Sequence, residues 1–441
     1  MKKLFTFYLA LVASVGTLFA DDKVPFGDLY YYLNTADKTA EVTSKPSGKY
    51  SGNIVIPEKI LISSVYYTVT TIGDRAFWGC EDLTSLSIPN TIVSIGEYGI
   101  SCCYSLTTIT IPTSVIYIQE KAFYGCTKLK TIEIPQNVAM IGSGAFSGCD
   151  NLTEMKVAAD NKYFSVKDGV LFNKEQTTIV AVPGAKKGSY TIPNTVTTIG
   201  EDAFNGCENL VLITIPNSVI NIGGYAFRYC ESLVRITIPN NVKLIGDCAF
   251  SNCSKMTSIT LGSSIKNIGE LAFYSCKALE SITCKAINPP VCAKGNAFQD
   301  VDTSIPLYVP ENSISKYQAA EGWKLFKDNT LPLESAIDNV NQTSEITSHK
   351  SIQNGVLLIE RDGELFNLNG ARVKLAHKRV VYVTYVVCVV YVCYESHENY
   401  EKSSISTKML LFSCIYAKKA VLLRAKLRKC AHKVCEKLKI L

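Results

Sequence analysis

The sequence predicts a repeat solenoid, mostly β, with a parallel β-sheet on one face and short turns or helical turns on the other. Three observations carry this. Cysteines at 80, 103, 126, 149, 207, 230, 253 and 276 are 23 residues apart, save for one interval of 58. Ile-Pro recurs at 88, 111, 134, 192, 215 and 238, and Ile-Gly at 72, 95, 141, 199, 222, 245 and 268. Ala-Phe recurs at 76, 122, 145, 203, 226, 249 and 272, and Leu at 83, 106, 129, 152, 210, 233 and 279, so the unit reads LxxIxIPxxVxxIGxxAFxxC. A unit this short cannot bury its own apolar face, so neighbours must stack and share one core.

The elements of the unit follow in order. In Leu106 to Ile111, apolar Ile109 and Ile111 alternate with Thr108 and Thr110, a strand with one buried face. Pro112 has no N–H for a ladder and ends it. Ile-Gly reads as a turn in which glycine tolerates a positive φ, and Ala-Phe has room for one helical turn before the Cys. Stacking over residues 54–300 gives roughly ten turns, with Phe123, Phe146, Phe204, Phe227, Phe250 and Phe273 inside. The interval of 58 holds one unit plus an elaboration. There, Tyr163 to Val166 and Val170 to Asn173 flank Lys167-Asp168-Gly169, so residues 150–191 read as a modified turn carrying a projecting hairpin.

Around the repeats lie terminal segments. Lys2-Lys3, the apolar stretch Leu4 to Leu18 and the small Ala20 read as a signal peptide over residues 1–20. Residues 21–71 hold strand-like runs without the unit, as an N-terminal β cap needs. Leu307-Tyr308-Val309-Pro310, Tyr317, Trp323 and Phe326 mark a C-terminal cap over 301–326, followed by a polar linker at 327–353 and a short β-module at 354–374. Residues 375–441 change character to a basic tail. It reads either as a partner or membrane tail or, preferably, as a segment foreign to the fold such as a reading-frame error. The 14 residues at 380–393, apolar but for Thr384, are too few to span a bilayer as a helix, which leaves no stable membrane span in the mature body. Cys430, His432 and Cys435 do not match a zinc site in spacing or number.

Charge and histidine content prune the functions. The net charge is +6, but residues 375–441 contribute +9 and Lys2 with Lys3 +2, leaving −5 for residues 21–374 and no footprint for nucleic acid. The four histidines, His349, His377, His397 and His432, all lie after the repeats. Histidine-based nucleophilic systems therefore cannot be built in the body, and no cofactor or metal is expected. The eight periodic cysteines should form a structural ladder of free thiols, because in-register Cβ atoms about 4.8 Å apart exceed disulfide spacing.

The unit LxxIxIPxxVxxIGxxAFxxC resembles the BspA-type leucine-rich repeat of bacterial surface proteins, a resemblance covering residues 54–300 and both caps. It implies a leucine-rich repeat fold, and an exported, non-catalytic, adhesin-like protein, secreted or held at the cell surface, that contacts host matrix protein, other cells or glycan. It brings no catalytic residues. Gly355 to Lys374 looks like the family's terminal sorting module, and residues 375–441 depart from its pattern.

On the residues themselves, the candidate contact surface is the outward face of the strands: Ser87, Thr108, Thr110, Thr131, Glu133, Glu154, Lys156, Thr214, Arg235, Thr237, Ser258 and Thr260. The inserted hairpin is its rival, since loops often carry function. The alternatives are a passive spacer, in which the threonine columns are solvated strand formers, and a glycan-processing enzyme using Glu133 and Glu154 as paired carboxylates.

Overall fold

Most turns of the repeat lay down the same three sides, because each side hydrogen-bonds to its copy one turn away. The computed structural model describes residues 22–335, and after them the backbone of the strands His349–Gln353, Val356–Arg361, Glu364–Asn367 and Arg372–Val373. The signal peptide and the basic tail lie outside the described residues. The chain divides into two units, at Asp338 and Asn339. The first is a parallel solenoid of about 11 turns.

The first side is the ladder of longer strands, Leu83–Ser87, Thr131–Ile134, Glu154–Val157, Gly188–Thr191, Leu210–Thr214, Arg235–Thr237, Ser258–Leu261 and Ser281–Cys284. Pairing is parallel and in register, as in Thr131 opposite Glu154 and Thr237 opposite Thr260. Side chains alternate, with Ile132 and Ile134 buried and Thr131 and Glu133 exposed. The second side is a ladder of two-residue strands, just before the Gly of Ile-Gly in Ser94–Ile95, Asn221–Ile222, Leu244–Ile245 and Asn267–Ile268 and before Gln119 in Tyr117–Ile118.

The third side replaces the expected helical turn. Ala76, Trp78 and Cys80 donate to Gly73, Arg75 and Phe77 within one turn, while the intervening Arg75, Phe77 and Gly79 donate to Glu97, Gly99 and Ser101 of the next. This alternation requires left-handed residues four apart, Arg75 (φ 53°) and Gly79 (φ 67°), and a helix would keep all the donors to itself. The glycine of Ile-Gly also has a different cause from the positive φ expected of it. A Cβ on Gly246 would lie 2.4 Å from the backbone N of Gly224, so glycine is there because successive turns touch.

The rings stack inside. Phe204, Phe227, Phe250, Phe273 and Phe298 form one column with centroids 4.7, 4.9, 5.4 and 5.2 Å apart, and Phe123 and Phe146 pair at 5.6 Å. The periodic cysteines are buried free thiols. Six of them, Cys103, Cys126, Cys149, Cys230, Cys253 and Cys276, donate to a carbonyl of the preceding turn at 3.0 to 3.3 Å, usually that of the Phe. Burial pushes Cys149, Cys230 and Cys253 well above the ordinary thiol range, and Cys207 to about 12.

Several expectations are corrected. The long ladder is not continuous: residues 107–111 form no strand. The turn just before them carries Ile100 where its neighbours carry Phe, so a smaller side chain supports that coil. Nor do Glu154–Val157 and Gly188–Thr191 pair, since the inserted segment intervenes. That hairpin, Phe164–Lys167 and Val170–Asn173, does not project. Val170, Leu171 and Phe172 are fully buried, the first and third in the C-terminal core cluster and Leu171 in the N-terminal one, so it joins the two halves. Three consecutive apolar residues demand cover on both faces.

The caps follow the same logic. At the front, Val24–Phe26, Leu29–Asn34 and Thr39–Thr43 lead into Val65–Ile72, which begins the short ladder. At the back, Trp323 Nε1 donates to the Pro290 carbonyl (2.8 Å) and its ring packs on Phe298. Thr330–Pro332 adds a further strand to the ladder, so the C-terminal cap extends beyond 326 and the linker starts later than 327. The terminal module likewise begins at His349, inside the expected linker, and its four strands pair as an antiparallel meander in chain order.

Candidate binding surface

The long ladder presents the sequence-predicted residues in separate groups. Ser87 stands on Leu83–Ser87, beside exposed Val55 of the neighbouring strand Gly52–Val55. Thr108 and Thr110 are exposed but belong to the stretch without a strand, so they do not continue the column. Thr131 and Glu133 face Glu154 and Lys156 across one strand pair. Thr214, Arg235, Thr237, Ser258 and Thr260 lie on the unbroken seven-strand sheet from Gly188–Thr191 to Thr330–Pro332, where Ser258 and Thr260 are half-buried and the others exposed.

The sheet is built to stay solvated or to meet a partner, because its outward positions hold hydroxyls and few charges. Thr191 pairs with Thr214, Thr237 with Thr260, and Thr260 with Thr283, a column of β-branched residues that packs well across parallel strands. The threonine column ends at Thr283, since the next position in register is the buried Tyr308, itself opposite Leu331. As for the paired carboxylates, Lys156 Nζ lies 3.4 Å from Glu154 Oε2, with both side chains about half exposed, and Glu133 is exposed. An exposed ion pair of this kind contributes little to stability and supplies no enclosed acid and base.

A second exposed surface, on the side of the tight turns, escaped the sequence reading. Arg75 and Lys121 lie 5.0 and 5.6 Å from the ring of Tyr98, and Arg228 lies 5.4 and 4.7 Å from those of Tyr225 and Tyr229. Asp202 is buried between these groups. It accepts from Asn205 Nδ2, and burial raises its carboxyl pKa while Lys121 and Arg228 oppose the rise. The signal was available in the third residue after each Ile and in the residue after each Phe, two columns the consensus leaves blank.

Among the described residues no helix is long and apolar enough to cross a membrane, and no group of His, Cys, Asp and Glu is placed to hold a metal ion.

Comparison with known proteins agrees with this geometry. No curated protein matches the chain. The pneumococcal vaccine antigen PcpA is similar in fold, with 18% identity over 71% of this chain and 98% of its own and a TM-score of 0.52. A leucine-rich repeat protein of Eubacterium ventriosum shares 22% identity over 64% of this chain and 82% of its own, with a TM-score of 0.51. The BspA type Leucine rich repeat region matches in six copies over residues 58–174 and 185–301, interrupted only within the inserted segment. Those matches span more than half of the sequence, and the chain belongs to the BspA-type leucine-rich repeat family.

Proposed function

We propose that the protein is exported and acts without catalysis, binding an extended extracellular partner, protein or glycan, through contacts spread along the long ladder. The observation that carries this reading is the unbroken seven-strand sheet, whose outward columns of Thr, Ser and Arg235 run in register from Thr191 to Thr283. The signal-like residues 1–20 and the family support export, and the similar pneumococcal protein is a vaccine antigen. The burial of Val170, Leu171 and Phe172 in the inserted hairpin favours the long ladder over it as the contact surface.

The test is binding of the full chain to immobilised matrix proteins, glycans and bacterial cells. Contacts spread over many turns predict that Thr214→Ala or Arg235→Ala weakens binding by about 1 kcal/mol or less. A passive spacer would bind none of them, and turnover of any glycan would point to the enzyme reading instead.

A further inference from the structure

A groove of about 440 Å³ runs along the edge where the short ladder meets the tight turns, within the ~300–1,000 Å³ range of ligand sites. Its origin is a gap in a column. The second residue after the ladder Ile at 72, 95, 118, 141, 199, 222, 245 and 268 is acidic in six turns, at Asp74, Glu97, Glu120, Glu201, Asp247 and Glu270; it is Ser143 in one and, between Glu201 and Asp247, Gly224 in another. The missing side chain opens a notch between two carboxylates one turn to either side. Leu244 and Val291, both exposed, form an apolar wall.

The lining holds Glu201 and Asp247 and no Lys or Arg. A Cβ built on Gly224 would lie 3.8 Å from Glu201 Oε1, which places that carboxylate at the notch. Glu201 makes no hydrogen bond or ion pair among the described residues. Burial, then Asp202 and Glu120, push its carboxyl up, and Lys121 opposes them. Asp247 is fixed, since its Oδ1 accepts the Glu270 N–H at 2.7 Å, and its Oδ2 has no partner among the described residues. Nearby Lys294 is engaged by Glu270 at 2.8 Å, and Lys243 and Lys266 are not part of the lining.

We propose that this groove takes a basic side chain, Lys or Arg, presented by an extracellular protein partner. The fit is chemical. A basic residue has a long apolar stem and a charged head. The stem lies along Leu244 and Val291 and the head enters the notch, between the exposed carboxylates of Glu201 and Asp247, whose charge it complements. The proposal rests on the reading that the protein binds an extracellular partner, and it favours a protein over a glycan.

The experiment follows glycine amide resonances of the full chain, labelled at glycine, during titration with acetyl-Ala-Lys-Ala-amide, its Arg and norleucine counterparts, and maltoheptaose. The Lys and Arg peptides should shift Gly224, Gly246 and Gly269. Glu201→Gln with Asp247→Asn preserves shape and the Asp247 Oδ1 acceptor while removing both charges, and it should weaken the Lys peptide about tenfold or more. Gly224→Leu should block binding by filling the notch. Its Cβ is accommodated, since the nearest atom is the Asp247 carbonyl at 3.4 Å, and a thermal melt checks that it folds. Equal shifts with norleucine, shifts with maltoheptaose alone, or no shifts with any probe would overturn the proposal. The reading as a partner-binding protein is judged separately, by the panel of matrix proteins, glycans and cells, and would survive that failure.

Discussion

Replacing Phe227 by Ala removes the second ring of the five-ring stack that runs from Phe204 to Phe298. Phe227 is fully buried and lies between Phe204 at 4.7 Å and Phe250 at 4.9 Å, nearly parallel to the latter. Emptying a buried Phe site costs about 3–5 kcal/mol, and each aromatic pair adds about 0.5–1.5 kcal/mol beyond its buried area. With two stacked neighbours lost, the upper part of that range applies, about 4–5 kcal/mol. Phe146 has a single stacked neighbour, Phe123 at 5.6 Å, so Phe146→Ala should cost about 1 kcal/mol less. At roughly 2 °C per kcal/mol for a body of this size, Phe227→Ala should lower Tm by about 8 °C. Hydrogen exchange should show the loss concentrated in the adjoining turns, since each turn contacts only its neighbours. An unchanged melt, or a uniform rise in exchange from cap to cap, would refute the stacking argument.

Thiol titration of the denatured, unreduced protein should find all eight periodic cysteines free, whereas in the native state at pH 8, among the described cysteines, the half-buried Cys102 and Cys248 should react first. Cys253→Ala, which removes the thiol donor to the Phe227 carbonyl and leaves it the Cys230 N–H at 3.2 Å, should cost about 0.5–1.5 kcal/mol, and Cys253→Ser less. Deleting Tyr163 to Asn173 should abolish cooperative melting because it strips Val170, Leu171 and Phe172 from the core, while Asp168→Ala at the exposed tip should shift Tm by no more than a few degrees. Burial, and then Asp74, raise the Glu41 carboxyl in the N-terminal cap to about 7. The folded state therefore holds its proton between the unfolded value and about 7, so stability is greatest below the unfolded pKa and falls by about 2–3 kcal/mol as pH rises to neutrality. Glu41→Gln should flatten that fall in denaturant titrations run from pH 4 to 8.

What the sequence made legible was what repeats. A 23-residue period located the strands, the buried Phe and Cys columns and the turn boundaries, because each demands one residue type at one place. The two-residue ladder was not legible, since strands of that length carry no alternation of their own. The tight-turn side was misread for a similar reason: the left-handed conformation falls on Arg75, Tyr98 and Lys121 as well as on glycines, so residue type does not announce it. The hairpin was recognised from Asp168-Gly169, both with positive φ, but its burial depends on the unpaired ladder strands around it. The candidate contact face was legible as a list of outward positions. Its interruption at Thr108 and Thr110 was not, because the local sequence there matches the consensus strand.

The most direct test of the central claim is to place like charges down the unbroken column and measure partner binding. Thr214, Thr237, Thr260 and Thr283 share one side of the sheet, and changing all four to Glu leaves the core untouched. If the long ladder is the contact surface, a variant with an unchanged melt should lose its binding to whichever matrix protein, glycan or cell the native chain captures. Full retention of that binding would contradict the account.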